Sequence, residues 1–193
     1  MTNIALGHQG GYREARIYEV LGGVKHMAPR PNVEHFRSSF NLMKKFDSFF
    51  EGTGCEVFGE IQVFLSDEDK PIPDISVVCR PEIVKPKGIF GAPDLIVEVL
   101  SRSTSKRDRT CKYSLYERYG VKEYWIVDVK NRILTVFMLD DAGKYYLANE
   151  YYDFDEDELD NMTDDELAAV EYQFTTHLSD ELVIDVREVF EIV

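Results

Sequence analysis

The stretch DLIVEVL, residues 94–100, constrains this chain more than any other: it is apolar on both faces, yet it carries a carboxylate in its middle. A half-buried strand alternates polar and apolar positions, whereas a continuous apolar run is covered on both sides. The stretch therefore reads as a central strand. Side chains alternate along a strand, so Asp94, Ile96, Glu98 and Leu100 share one face. An ionised Glu98 at such a position is costly unless a cation compensates it. Pro93-Asp94 opens this strand, and a second Pro-Asp step, Pro73-Asp74, opens the apolar strand DISVVC at 74–79. Proline is tolerated at the first position of a strand, which places Asp74 at a sheet margin, rigidly held. A divalent cation shared by Asp74 and Glu98 would compensate both, since Mg²⁺ favours one or two protein carboxylates completed by waters and phosphate oxygens. The plainer readings stand beside this one. Asp74 can be a strand-initiating turn residue, Asp94 a strand-end residue, and Glu98 one half of an ion pair with Arg107 or Lys112.

After Glu98 the sequence turns basic. SRSTSKRDRTCK, residues 101–112, holds Arg102, Lys106, Arg107, Arg109 and Lys112 against the single acid Asp108. Ser103 or Thr104 can cap a helix over about 105–119, which Gly120 closes. The start of that helix adds unpaired N–H groups and a positive dipole end. A carboxylate pair beside a basic helix start suits phosphodiester hydrolysis: a metal activates water while a lysine assists the nucleophile or the transition state. Asp108, Lys112, Leu115 and Tyr119 fall on one helix face, so Lys112 is expected to point at the sheet end; the alternative is a solvated surface lysine. Lys106 and Arg107 are candidates for phosphate contact. Tyr113, Tyr116 and Tyr119 read as packing residues rather than base-stacking platforms.

The remaining segments fit around this centre. Residues 16–28 read as a hairpin about Gly22-Gly23, ended by Pro29 and Pro31. Asn32 can cap a helix to about Phe50, with Phe36, Phe40, Met43 and Phe50 as its apolar stripe. His35 and Glu34 lie in its first turn, where His35 caps, packs or faces solvent. Strands are expected at 56–65, with a bulge at Gly59, and at 122–129, 132–139 and 144–152; a tail at 180–193 packs back. A helix placed between a central strand and a hairpin of strands implies an α/β (α+β) chain with a mixed central sheet flanked by helices, preceded by an N-terminal hairpin.

Charge is uneven. The net charge is -14, which opposes nucleic-acid binding in bulk. Residues 150–171, however, hold eleven of the 36 acids and no Lys or Arg, leaving 25 acids against 22 bases elsewhere. That segment reads as a solvated acidic insertion in a single 1–193 domain, with a capping box at Thr163 and Glu166. Asp153, Asp155, Asp157 and Asp164 imitate a calcium loop only weakly, because Glu158 stands where glycine is required. Cys55, Cys79 and Cys111 are odd in number and widely spaced, so neither a zinc site nor a disulfide is expected. With no signal-like N-terminus and no membrane-length apolar run, the expected setting is a reducing cytoplasm.

The run GAPDLIVEVLSRSTSKRDRTCKYSLYERYGVKEYWIVDV, with PIPDISVV and YEVLGGVKHMAPRPNVEHFRSSF upstream, resembles the Uma-two family of "putative restriction endonucleases". That family is abundant in cyanobacteria and lies within the PD-(D/E)XK superfamily. The resemblance covers nearly the whole chain except the acidic segment. It implies a restriction-endonuclease-like fold and a Mg²⁺- or Mn²⁺-dependent endonuclease acting on DNA. Asp74 and Glu98 would be its metal ligands, and two copies would pair as a homodimer. The superfamily pattern places a lysine at position 100, where this chain has Leu100; Lys112 on the following helix matches its displaced position, with Lys106 the second choice. His35 and Glu34 lie on a helix that borders the active site in the family, with Asp94 and Asp108 as further acids nearby. The alternative in another class is a catalytically inactive nuclease-fold module that binds nucleic acid or a protein.

Overall fold

The structure is a computed structural model, described for residues 17–28, 31–101 and 105–191. Pro29, Arg102, Ser103 and Thr104, and with them the expected capping of the basic helix, lie outside the described residues.

A six-stranded sheet runs in the order β10-β9-β8-β7-β4-β3. Its strands are β3 (Glu56–Gly59), β4 (Ile75–Val78), β7 (Leu95–Val99), β8 (Glu123–Asp128), β9 (Ile133–Leu139) and β10 (Tyr145–Tyr152). All neighbours are antiparallel except β7 and β8, which are parallel. A parallel pair needs a crossover. This one consists of α2 (Ser105–Arg107), a π turn (Asp108–Lys112) and α3 (Tyr113–Tyr119), ended by Gly120 in the left-handed conformation. The strand 94–100 is thus central, as its two apolar faces require. It is buried at all of Leu95–Val99.

Ile75, Val77, Leu95, Val97, Val99 and Trp125 face one layer, formed by α1 (Val33–Phe50), the hairpin β11–β12 (Gln173–Thr176, Ser179–Asp185) and α6 (Val186–Phe190). Ile96, Tyr124 and Ile126 face the other, with Leu115 and Tyr116 of α3 and Leu21 of the N-terminal hairpin. That hairpin, β1 (Tyr18–Leu21) and β2 (Val24–Met27), turns at Gly22-Gly23, both at positive φ as a tight turn demands. A small hairpin of β5 (Val84–Lys85) and β6 (Gly88–Ile89) lies between β4 and β7, where the sequence pattern shows no strand.

Several expectations are corrected. The strand from 56 stops at Gly59, because Glu60 turns to φ 51 and gives its N–H to the Asp74 carbonyl. Phe36 and Phe40 do not form the buried stripe of α1. They stack on each other in solvent, ring centroids 5.9 Å apart, while His35, Ser38, Ser39, Leu42, Phe46 and Phe50 turn inward. Small polar residues on that inner face let the helix lie close to the sheet. Cys55 and Cys79 form a disulfide: they lie one position beyond the Glu56–Val78 pair, and register joins what sequence spacing separated. The weak likeness to a calcium loop gives way to α4 (Glu156–Asp160), capped by Asp155, and the expected capping box of Thr163 and Glu166 opens α5 (Asp164–Ala168). No helix among the described residues is long and apolar enough to cross a membrane.

Candidate active site

The end of β7 faces the point where β4 begins. Ile75 lies opposite Val97, so Asp74 and Glu98 come opposite one another one position further on. Because β4 starts only at Ile75, no strand carbonyl is available to the Val99 N–H, and Asp74 Oδ2 accepts it at 2.6 Å. His35, fixed in the first turn of α1 by its N–H to the Asn32 side chain, sets Nε2 3.3 Å from the same oxygen. Burial works to lower the His35 pKa, but the adjoining Asp74 carboxylate, helped by Glu60, outweighs it and holds the imidazole above its ordinary value. Its Nδ1 is buried without a hydrogen-bond partner among the described residues.

Glu98 is 2% exposed. Lys112 Nζ donates to both of its oxygens at 2.9 Å, and the Tyr116 hydroxyl donates to Oε1 at 2.7 Å. The widened π turn carries Asp108 and Lys112 to the same inner face; such turns recur at functional sites. Lys112 Nζ is also 3.3 Å from Glu19 Oε2 and 3.6 Å from Asp108 Oδ1, and Arg107 donates to Glu19 Oε1 at 2.8 Å. Three buried carboxylates thus surround one buried ammonium, with Arg107 at the margin. Burial opposes the charge on Lys112, but Glu98, Glu19 and Asp108 together hold it as an ammonium, well above its ordinary range. Burial first, and then the crowd of Asp108, Asp74 and Glu19 against the pull of Lys112, pushes Glu98 well above the usual carboxylate range.

Among the described residues the cluster therefore holds more carboxylates than cations, and its donors are hard oxygens. Both facts suit a hard divalent cation. Among the described residues no three of His, Cys, Asp and Glu converge into a complete cage. Two carboxylates suffice for Mg²⁺, which keeps waters and phosphate oxygens.

Sequence reasoning missed Glu19 and the role of Tyr116. Glu19 sits between apolar neighbours in a four-residue strand, and nothing local shows that its partner lies 88 residues onward. Tyr116 packs, as expected, but also donates to Glu98. The structure does not bring Asp94 to this cluster: it lies at the opposite end of β7, accepting the Cys79 N–H at 2.8 Å with Arg80 Nε 3.7 Å away. Glu34 is exposed on α1, and Lys106 is exposed on α2.

The chain is 29% identical over 142 residues, 72% of its own length and 70% of the relative's, to the uncharacterized protein slr1290 of Synechocystis sp.. Its fold is similar to the crystal structure of a "putative nuclease belonging to DUF820" from Anabaena variabilis ATCC 29413. The TM-score is 0.68 at 16% identity, over 90% of this chain and 89% of that one, a likeness of fold alone. The Uma2 family model, described as "Putative restriction endonuclease", matches residues 11–175. The chain belongs to the Uma2 family.

Proposed function

We propose that this protein is a Mg²⁺- or Mn²⁺-dependent endonuclease that hydrolyses phosphodiester bonds in DNA. The observation that carries the reading is the contact of Lys112 Nζ with both Glu98 oxygens, directly across the strand pair from Asp74. A lysine on the crossover helix thereby reaches the carboxylate that Leu100, on the strand itself, cannot serve. Asp74 and Glu98 would hold the ion, which when bound supplies Lewis-acid activation of water and neutralises charge on the phosphate.

The chain's own residues do the positioning. The Val99 N–H and His35 orient Asp74. Tyr116 and Lys112 fix the plane of the Glu98 carboxylate. Lys112 is a fixed cation beside the reacting phosphate, held from behind by Glu19 and Asp108, so its charge is preorganised where negative charge develops. Lys106 and Arg107 face the incoming backbone. A double-strand cut calls for two such sites, which a homodimer provides. A cytoplasmic setting goes with this substrate, and the Cys55–Cys79 bond is the observation against it.

The second reading, a nuclease fold kept for binding alone, is favoured by one feature. The ammonium and the tyrosine hydroxyl already engage Glu98, so an ion must share that carboxylate with them.

Plasmid DNA incubated at low salt with Mg²⁺ or Mn²⁺ tests both. Cleavage by the parent chain that is lost in folded Asp74→Ala, Glu98→Ala and Lys112→Ala variants is the expected result. Absence of cleavage, together with calorimetry showing no metal binding that depends on Asp74 and Glu98, would leave the binding module.

A further inference from the structure

Beside the carboxylate cluster, a cleft of about 500 Å³ opens between the N-terminal hairpin and the crossover helix. Leu21 and Leu115 give it apolar walls, Thr110 and Ser114 line it with hydroxyls, and Lys106, Arg107 and Arg118 bring cations. Its volume and mostly apolar lining with a few polar groups are those of a site for a small organic group. It is not a chance gap between mobile parts, because one buried carboxylate pins its walls. Asp69 accepts the Gly22 N–H at 2.8 Å from the hairpin turn, and Arg118 Nη2 at 2.7 Å and the Tyr119 hydroxyl at 2.9 Å from α3. Paired backbone bonds between Val20 and Lys70 hold the same hairpin to the same loop. A preformed opening of this kind loses little entropy when filled.

Charge narrows the occupant. In a chain of net charge -14, the cations Lys106, Arg107 and Arg118 meet at this cleft, Arg118 held by Asp69 and Arg107 by Glu19, with Lys106 exposed. Arg107 belongs to both places: it lines the cleft and pairs with Glu19 of the carboxylate cluster. A group whose anionic end meets Lys106 and Arg107 therefore sits next to the proposed reaction centre, while its flat apolar part rests against Leu21 and Leu115.

We infer that this cleft takes one nucleotide of a nucleic-acid strand, its base ring against Leu21 and Leu115 and its phosphate at Lys106 and Arg107. The choice of a nucleic acid rests on the nuclease reading. The shared chemistry, a phosphoryl group joined to an aromatic ring, would equally admit a free nucleotide.

Cys111 supplies the test, for it lines the cleft, is exposed, and is a free thiol, Cys55 and Cys79 being joined in the disulfide. The rate of its alkylation by iodoacetamide is measured on the full chain in EDTA, where no cleavage intrudes. The arms contain inorganic phosphate, deoxyadenosine monophosphate, a short single-stranded oligonucleotide, or duplex DNA. Protection follows 1 + [L]/Kd, so the mononucleotide and the single strand are each expected to slow alkylation about ten-fold at roughly ten times their Kd. Ser114→Trp, which fills the cleft, and Lys106→Glu, which reverses its charge at an exposed position, should each abolish that protection. Equal protection by phosphate would reduce the cleft to an anion site and overturn the inference, and protection by duplex alone would overturn it in favour of backbone tracking. A chain that cuts DNA without protecting Cys111 sinks the cleft and spares the nuclease reading; protection in a chain that neither cuts DNA nor binds metal through Asp74 and Glu98 does the reverse.

Discussion

Lys112 carries its charge at 4% exposure, among carboxylates of β1, β7 and its own helix. Its removal leaves Glu19, Glu98 and Asp108 facing one another away from water. Breaking a buried ion pair from one side costs about 3–5 kcal/mol, and Lys112→Met is expected to lose that much in urea unfolding. Glu98→Gln should lose less, because the amide oxygen still accepts from Tyr116 and Lys112 keeps Glu19 and Asp108. Equal stability of Lys112→Met and parent would mean that the ammonium is not what makes the acids tolerable. Both substitutions should abolish cleavage, so their unequal stabilities separate the energetic role of the cluster from its chemistry.

Among the elements, the hairpin β11–β12 is tied to the sheet by a group far from the cluster. Glu123, at the start of β8, is wholly buried. It accepts the Trp125 indole N–H at 2.8 Å and the His177 backbone N–H at 2.9 Å, the latter in the turn between β11 and β12. Burial pushes its carboxyl up to about 7, against the pull of those two bonds. The folded chain keeps this proton up to about pH 7, whereas the unfolded chain releases it near the model-peptide value of 4.5. The native state thus binds more protons between those values, and stability falls as pH rises through that window, then levels. At roughly 1.4 kcal/mol per pKa unit the loss is a few kcal/mol at most. His35 and Glu98, also raised, add slopes of the same sign, so the comparison must be with Glu123→Gln. Thermal melts across pH 4.5–7.5 should show a shallower decline in that variant; an unchanged slope would remove Glu123 as its source.

Across the whole molecule, charge is segregated. The acids are densest on α4 and α5, while Lys106, Arg107, Arg109 and Lys112 lie close together on the crossover that follows β7. A chain of this net charge repels DNA at long range, the more so at low salt. Neutralising Glu156, Asp157, Asp160, Asp164 and Asp165, all exposed, spares the capping boxes built on Asp155–Glu158 and Thr163–Glu166. The fold should persist, and DNA affinity should rise several-fold at low ionic strength, with the gain vanishing at about 1 M salt, where the Debye length is about 3 Å. Fluorescence anisotropy with a labelled duplex measures this, and a gain that survives high salt would point to a contact rather than a field.

Local patterns by themselves determined a good part of this protein. Continuous apolarity made 94–100 a central strand, the Gly22-Gly23 pair made a hairpin, Asn32 and Gly120 marked helix ends, and a lone acid in DLIVEVL announced a buried charge in need of a partner. These are properties of neighbours in the chain, where period and backbone preference act directly. Only the tertiary structure decided what depends on distant segments meeting. The antiparallel register of β4 and β7 set Asp74 opposite Glu98 and closed Cys55 onto Cys79. The spacing of Asp108 and Lys112 already put them on one face, but packing of the hairpin on the crossover helix is what brought Glu19 to them. The same packing left Phe36 and Phe40 in solvent, because the face of α1 that fits the sheet is the one with small polar residues. A carboxylate's cost of burial is written in its own strand, but the cation that relieves it is chosen by the fold.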